Sequence, residues 1–340
     1  MPLRRGLTHL PKYLSPPTES EAEKAFTTHK NYLVHIRNYL GDIYGMGPFL
    51  APSLVREIRG TKKFRSIDRR RLSNDEQQAV ARALTISWTK ELQLRLPGAF
   101  DPGLLPHLIP GSGPLAYYAA FHGARALFLA AGQEFDPTHA SALATLGSWV
   151  KDRKLFPPPW SVYCEGGPDR ALMTLGGLPP SAVLSGDVHP LKSPTPDTVW
   201  DSLFMLLRTT RDRQIEERKV IWRRRQGRKQ VPRAETQGIA GRIPPTTLFS
   251  VLWRLRRRSD YEDASAFVQG IASPYQAEEY QESITALVDG SLTVLEGIVV
   301  QYAGPRLYAE AASGFLNRAT GPGADALTER RKALVIPSDL

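Results

Sequence analysis

Between Leu155 and Thr198 the chain carries Pro157 to Pro159, Gly166 and Gly167, Pro179 and Pro180, and several later prolines. Proline lacks an amide donor and clashes with the preceding helical turn, so no long helix fits there. At most one short helix, near Asp169 to Leu175, is expected in it. On both sides of this stretch apolar residues recur at three- and four-residue spacing, the period of a helix with one buried face. The chain must therefore fold as two helical blocks joined by an irregular insertion, and the class expected is all-α.

Within the first block, Phe26, Leu33, Ile36, Leu40 and Ile43 predict an amphipathic helix over Glu19 to Gly45, and a basic connector, Arg56 to Arg71, follows. Ser73 with Glu76 forms a capping-box pattern, which predicts a helix from Asn74 to Leu96, stopped by Pro97 and Gly98. Pro114 suits the first turn of a helix reaching Ala131. In that helix Tyr117, Phe121 and Phe128 share one face and Tyr118, His122, Arg125 and Leu129 an adjacent one, while Gly123 and the alanines permit close helix approach. Asp136 and Pro137 are read as N-cap and first residue of a helix running through Val150, with His139 in its first turn.

Past the insertion, helicity resumes near Asp197, with Trp200, Phe204, Leu207, Ile215 and Trp222 in a stripe that Arg211 and Arg218 interrupt. A break at Gly238 to Pro245 leads to a helix capped by Thr246 or Thr247 and ending at Arg256 to Arg258. The last long helix is expected from Ser273 and Pro274 to Tyr302. Its buried face is Tyr280, Ile284, Leu287, Leu295, Ile298 and Tyr302, and Gly290 is a candidate bend. A shorter helix, Arg306 to Asn317, precedes a Gly-rich tail. No period of 20 to 50 residues recurs, which disfavours a solenoid.

The chain has 340 residues, 41% of them hydrophobic, enough for a sizeable core. Its one cysteine, Cys164, leaves no internal disulfide to form, so a reducing, cytoplasmic setting is expected. Met1 to Pro17 is interrupted by Pro11, Pro16 and Pro17 and reads as a tail rather than a secretory signal. No stretch is expected to approach the roughly 20 apolar residues that span a bilayer, so no membrane partner is expected. The formal charge of +10 is concentrated: Arg208 to Arg233 holds nine Arg and two Lys against Asp212, Glu216 and Glu217, a net +8. A cationic stripe of this kind attracts polyanions through phosphate neutralisation.

Two stretches resemble the HEPN superfamily of helical-bundle proteins. Ala116 to Leu143, AYYAAFHGARALFLAAGQEFDPTHASAL, is similar to that family's paired aromatic, Phe-His, Ala-Arg-Ala and Thr-His pattern. Arg256 to Val268, RRRSDYEDASAFV, is similar to the Asp-Tyr segment before its last bundle helix. The resemblance implies a HEPN-like bundle interrupted by a Pro/Gly-rich insertion and a basic helix. Residues 1–72 then form a tail, helix and basic connector, 73–153 and 246–320 the two parts of the bundle, 154–245 the insertion with its basic helix, and 321–340 a C-terminal tail. It also implies a place in a bacterial defence, toxin–antitoxin or stress-response system. Active members use an Arg followed by four to six residues and a His; only Arg4 with His9 has that spacing, and it lies in the tail.

His122, Arg125 and His139 are the candidate catalytic residues. A histidine can move the proton of a 2′-hydroxyl attacking RNA, and an arginine can stabilise charge developing on phosphorus oxygens. A polar cluster that merely fixes packing explains the same residues and is preferred. Arg211, Arg218, Arg223, Arg224, Arg225, Arg228 and Lys229 are the candidate nucleic-acid contacts, against the alternative of a solvated face. Trp200, Trp222 and Trp253 read as core anchors rather than base-stacking platforms. Asp260, Glu262 and Asp263 read as local ion-pair partners, and no metal, phosphate-loop or serine-hydrolase pattern supports a cofactor. The leading expectation is a diverged, non-catalytic protein that binds RNA or another polyanion. The alternatives are a metal-independent RNase and a protein-interaction subunit whose basic helix docks an acidic partner; a homodimer is a further partner expectation.

Overall fold

Helix α1, Glu19–Tyr44, lays Phe26, Leu33, Ile36 and Leu40 into the core, as their spacing requires. The computed structural model describes residues 19–99, 101, 103–133, 138–167, 173–184, 199–257, 264–319 and 323–335. The Arg4 and His9 pair, Asp136 with Pro137, and Asp260 with Glu262 and Asp263 lie outside the described residues.

The expected basic connector is instead largely helical. Helix α2, Leu50–Gly60, buries Leu50, Leu54, Val55 and Ile58, and the short α3 is Lys62–Arg65. Among the connector's cations, Ile58 and Phe64 are buried and set the apolar face of these helices. Helix α4, Asn74–Arg95, starts at the expected capping box: Glu76 N donates to Ser73 Oγ at 3.3 Å, and Ser73 N donates to Glu76 Oε2 at 2.7 Å. After the one-turn α5, Leu105–Leu108, helix α6 spans Ser112–Ala130. Helix α7 is His139–Ser148, N-capped by Thr138 and not by Asp136: Ser141 N donates to Thr138 Oγ1 at 3.3 Å.

Two strands, β1 (Tyr163–Gly166) and β2 (Met173–Gly176), pair antiparallel with Cys164 opposite Leu175. They correct the short helix expected near Asp169 to Leu175, of which 173–175 are extended and the rest lies outside the described residues. Beyond them run α8, Val199–Gln226, and α9, Arg233–Gly241, so the break falls at 242–245 and not already at Gly238. Strand β3, Thr246–Thr247, pairs antiparallel with β1, closing a sheet in the order β2-β1-β3. Helix α10, Leu248–Arg257, and α11, Ala264–Gln269, lead to α12, Pro274–Ala303, whose N-cap Ser273 accepts from Gln276 N.

Helix α12 is the axis of the molecule. It packs against α1, α2 and α6, while α4 packs along α6 and also reaches α12. The α6 contact joins the blocks on either side of the insertion, as the two stripes lead one to expect. Gly123 allows it: a Cβ there would lie 3.0 Å from Leu292 and 3.3 Å from Leu295. Gly290 admits the Trp160 ring, which a Cβ would meet at 2.4 Å, and Trp160 Nε1 donates to Ser291 Oγ at 2.9 Å. The glycine therefore serves close packing. By length and mean hydropathy, 1.6, this helix could cross a membrane, contrary to the expectation for the chain; 89% of its apolar window is buried inside the protein, which identifies it as the core helix.

After α13, Pro305–Leu316, the segment read as a tail forms α14, Ala324–Val335, with Leu327, Arg330 and Leu334 buried. Arg330 carries α14 into the core, donating to Glu91 Oε1 at 3.0 Å and to Glu296 Oε2 at 3.0 Å. Glu296 also accepts from Trp88 Nε1 at 2.9 Å and from the Tyr308 hydroxyl, while Arg95 pairs with Asp289 and with Glu91. Burial would raise the Glu91 carboxyl, but Arg330 and Arg95 hold it below its ordinary range. Sequence periodicity sees chiefly Leu327 and Leu334 here, seven residues apart with four charged residues between them.

Candidate nucleic-acid interface

Helix α8 has two halves with different surroundings. Its first turns are core: Trp200, Leu203, Leu206 and Leu207 are buried, and the Ser202 hydroxyl sits 2.8 Å from His35 Nδ1. Its second half belongs to a small separate cluster, in which Ile215 packs with Ile239 and Ala240 of α9 while Trp222, Val231 and Ile243 close around them. Helices α8 and α9 thus form a hairpin, turned at Gly227 with φ +63°, a conformation open to glycine without strain.

Arg211 stands at the base of this hairpin and is 1% exposed. Its guanidinium donates to Gly166 O at 2.9 Å, Cys164 O at 3.3 Å, Pro244 O and Ala240 O at 3.0 Å, Ile243 O at 3.3 Å and Thr246 Oγ1 at 3.3 Å. One side chain thereby ties α8 to β1, β3 and the end of α9. Arg211 must be removed from the expected nucleic-acid contacts, because no donor of it is left to a phosphate. It interrupts the apolar stripe because it is buried on that stripe's face. Burial lowers its basicity, and it also raises the neighbouring Cys164 thiol to about 11, which leaves the thiol protonated at neutral pH.

Beyond Ile215 the remaining expected contacts are solvent-facing. Arg218, Arg224, Arg225, Arg228 and Lys229 are exposed and Arg223 half-buried. The acids of the helix are engaged elsewhere: Asp212 lies 4.0 Å from Arg208, Glu216 pairs with Lys219, and Glu217 binds Arg257 at 2.6 Å and Arg213 at 3.7 Å. None of the six cations at the end of the hairpin takes part in an ion pair among the described residues. Arg218 and Arg225 lie two turns apart on one face, with the exposed Ile221 between them. Trp200 and Trp222 face the core and the hairpin interior respectively, as their spacing predicts.

The three candidate catalytic residues gather where α6, α7 and α10 meet. His139 packs against Trp253, the rings tilted by 31° with centroids 4.8 Å apart, and lies 4.9 Å from Phe121. Its Nδ1 is 2.8 Å from the Tyr117 hydroxyl, and the Arg256 guanidinium lies over Trp253 at 4.7 Å and over Tyr118 at 5.3 Å. His122 is lowered to about 4 by burial, helped by the charges of Arg125 and Lys90 and by His139. His139 is also lowered, by burial and by Arg256, and burial raises the Tyr117 phenol. Burial thus disfavours the charged form of both imidazoles.

The aromatic partners Tyr117, Tyr118 and Trp253, and Arg256 among them, were not assigned to this cluster by sequence reasoning. The i, i+4 spacing of Tyr117 with Phe121 and of Tyr118 with His122 places two of them beside it, but nothing local announces that α10 would close over it. Among the described residues no group of three or more His, Cys, Asp or Glu side chains is arranged to hold a metal ion. No family model, curated protein or solved structure matches this chain.

Proposed function

We propose that the chain is a binding protein that grips the phosphate backbone of RNA or another nucleic-acid polyanion with the α8–α9 hairpin. The observation that carries this reading is the cluster of Arg218, Arg223, Arg224, Arg225, Arg228 and Lys229, cations for which the described residues supply no ion-pair partner. Charges that no carboxylate among the described residues neutralises are available to an anionic ligand, and release of that ligand's counterions drives association. The HEPN relationship is part of the proposal. It rests on the two resembling segments and is supported by the packing of α6 against α12 across the insertion. The non-catalytic form of the reading is favoured over an RNase, because His139 is engaged by the Tyr117 hydroxyl and packed against Phe121 and Trp253.

The test is fluorescence anisotropy of a labelled RNA with the wild type and with Arg223→Glu, Arg224→Glu and Arg225→Glu combined. The account expects the variant to keep its helical circular dichroism and to lose at least about tenfold in affinity, each exposed cation near a phosphate contributing a fraction of that change. Equal affinity of the two proteins defeats the proposal. Tighter binding to polyglutamate than to RNA assigns the hairpin to an acidic protein partner instead.

A further inference from the structure

A cavity of about 380 Å³ lies between α2, α3, α12 and α14, well away from the hairpin. Its size is that of a small-molecule site. Val55, Ile58, Phe64, Val300 and Leu334, all buried, form an apolar floor. The polar lining is Arg59, Arg65 and Arg69 with Gln301, and among the described residues no carboxylate joins it. An apolar floor under a cationic rim has one kind of complement, a molecule with a hydrocarbon body and an anionic head.

The rim is held in place by the backbone beneath it. Arg59 Nη2 donates to Leu334 O at 2.8 Å, which binds α2 to α14 across the cavity. Arg65 donates from Nε to Arg59 O at 3.0 Å and from Nη2 to Gly60 O at 3.1 Å, at the end of α2, so its guanidinium is oriented while its Nη1 stays unused in these bonds. Arg65 and Arg69 are exposed, and neither takes part in an ion pair among the described residues. Gln301 is anchored by donating from Nε2 to Ile67 O at 3.3 Å.

We infer that this cavity binds an amphipathic anion, an alkyl carboxylate or an alkyl phosphate, with the hydrocarbon on the floor and the head between Arg65 and Arg69. Apolar burial supplies the affinity, and the two guanidiniums supply selection for charge, each able to meet a carboxylate or phosphate with paired donors. The inference is independent of the hairpin and stands or falls apart from it.

Isothermal titration with decanoate, decanol and inorganic phosphate tests it on the full chain. Decanoate is expected to bind, decanol at least about tenfold more weakly, and phosphate without measurable heat. Arg69→Ala alone, and Arg65→Ala with Arg69→Ala, should bring decanoate down toward decanol while leaving decanol unchanged, and Arg65→Lys with Arg69→Lys should restore part of the preference. The Arg69 variant keeps the test sound if loss of Arg65 loosens the end of α2. Equal binding of decanoate and decanol, no effect of the Arg69 change, or phosphate binding as tight as decanoate would each overturn the inference. A phosphatidylglycerol vesicle arm separates free anions from lipid headgroups: sedimentation with vesicles and no binding of free decanoate also overturns it.

Discussion

Replacing Arg211 with methionine keeps most of the stem that packs at the base of the hairpin and removes the guanidinium alone. Five backbone carbonyls, those of Cys164, Gly166, Ala240, Ile243 and Pro244, then lose a charged donor inside the protein. An orphaned buried acceptor costs about 1–3 kcal/mol, but such costs do not add, since relaxation and water entry relieve some of them. With several acceptors sharing the loss, a fall of about 3 kcal/mol, the upper end for one orphan, is the change expected in equilibrium urea unfolding. Arg211→Lys, which has three donors for these acceptors, should fall between the wild type and methionine. RNA affinity measured where the methionine variant is still folded should match the wild type, because the side chain faces no solvent. A stability loss under about 1 kcal/mol, or a selective loss of RNA binding at full stability, would refute the assignment of Arg211 as a clamp.

Three further outcomes follow from the same geometry. Ser73→Ala removes the side-chain acceptor of the capping box and should destabilise the protein by about 1 kcal/mol, read as a lower urea midpoint with an unchanged slope. His122, lowered to about 4 in the folded chain against an ordinary 6.5, binds its proton more readily when unfolded. Its share of stability is therefore full above pH 6.5 and is lost as pH falls toward 4; His122→Gln should flatten that limb of the stability profile, and an identical limb in the variant would contradict the shift. Arg330→Met leaves Glu91 and Glu296 buried without their shared cation and should cost about 3–5 kcal/mol, with loss of protection from hydrogen exchange across α14. Exchange in α14 as slow as in the wild type would show that Arg330 does not hold it.

The parts of the fold that could be read from sequence are those whose signals are local. The capping box at Ser73, Pro274 behind its Ser273 cap, and the stripes of α1, α6 and α12 each carry their own periodicity or end signal. What escaped depends on partners far along the chain. The α14 helix offers little apolar pattern because its anchor is an arginine, and that anchor makes sense only with Glu91 and Glu296 opposite it. The β1–β2 hairpin is shorter than the window in which alternation can be recognised, and β3 is a two-residue edge. For the candidate interface, composition located the positive segment, but composition alone cannot separate the buried Arg211 from the exposed Arg218 seven residues later. The two sit on the same helical stripe, and the difference lies in the carbonyls of β1 and α9 that surround only the first.

The salt dependence of nucleic-acid binding bears most directly on the central claim. The logarithm of the association constant for a labelled oligonucleotide, plotted against the logarithm of salt concentration, should fall linearly. Its slope should lessen by about 0.7 on a single strand, or about 0.9 on a duplex, for each phosphate contact removed. The account predicts a shallower slope and weaker binding in Arg218→Ala, Arg224→Ala and Arg225→Ala combined, with the slope retained in Arg211→Met. Binding that is independent of salt, or a triple variant whose slope and affinity equal those of the wild type, would contradict it.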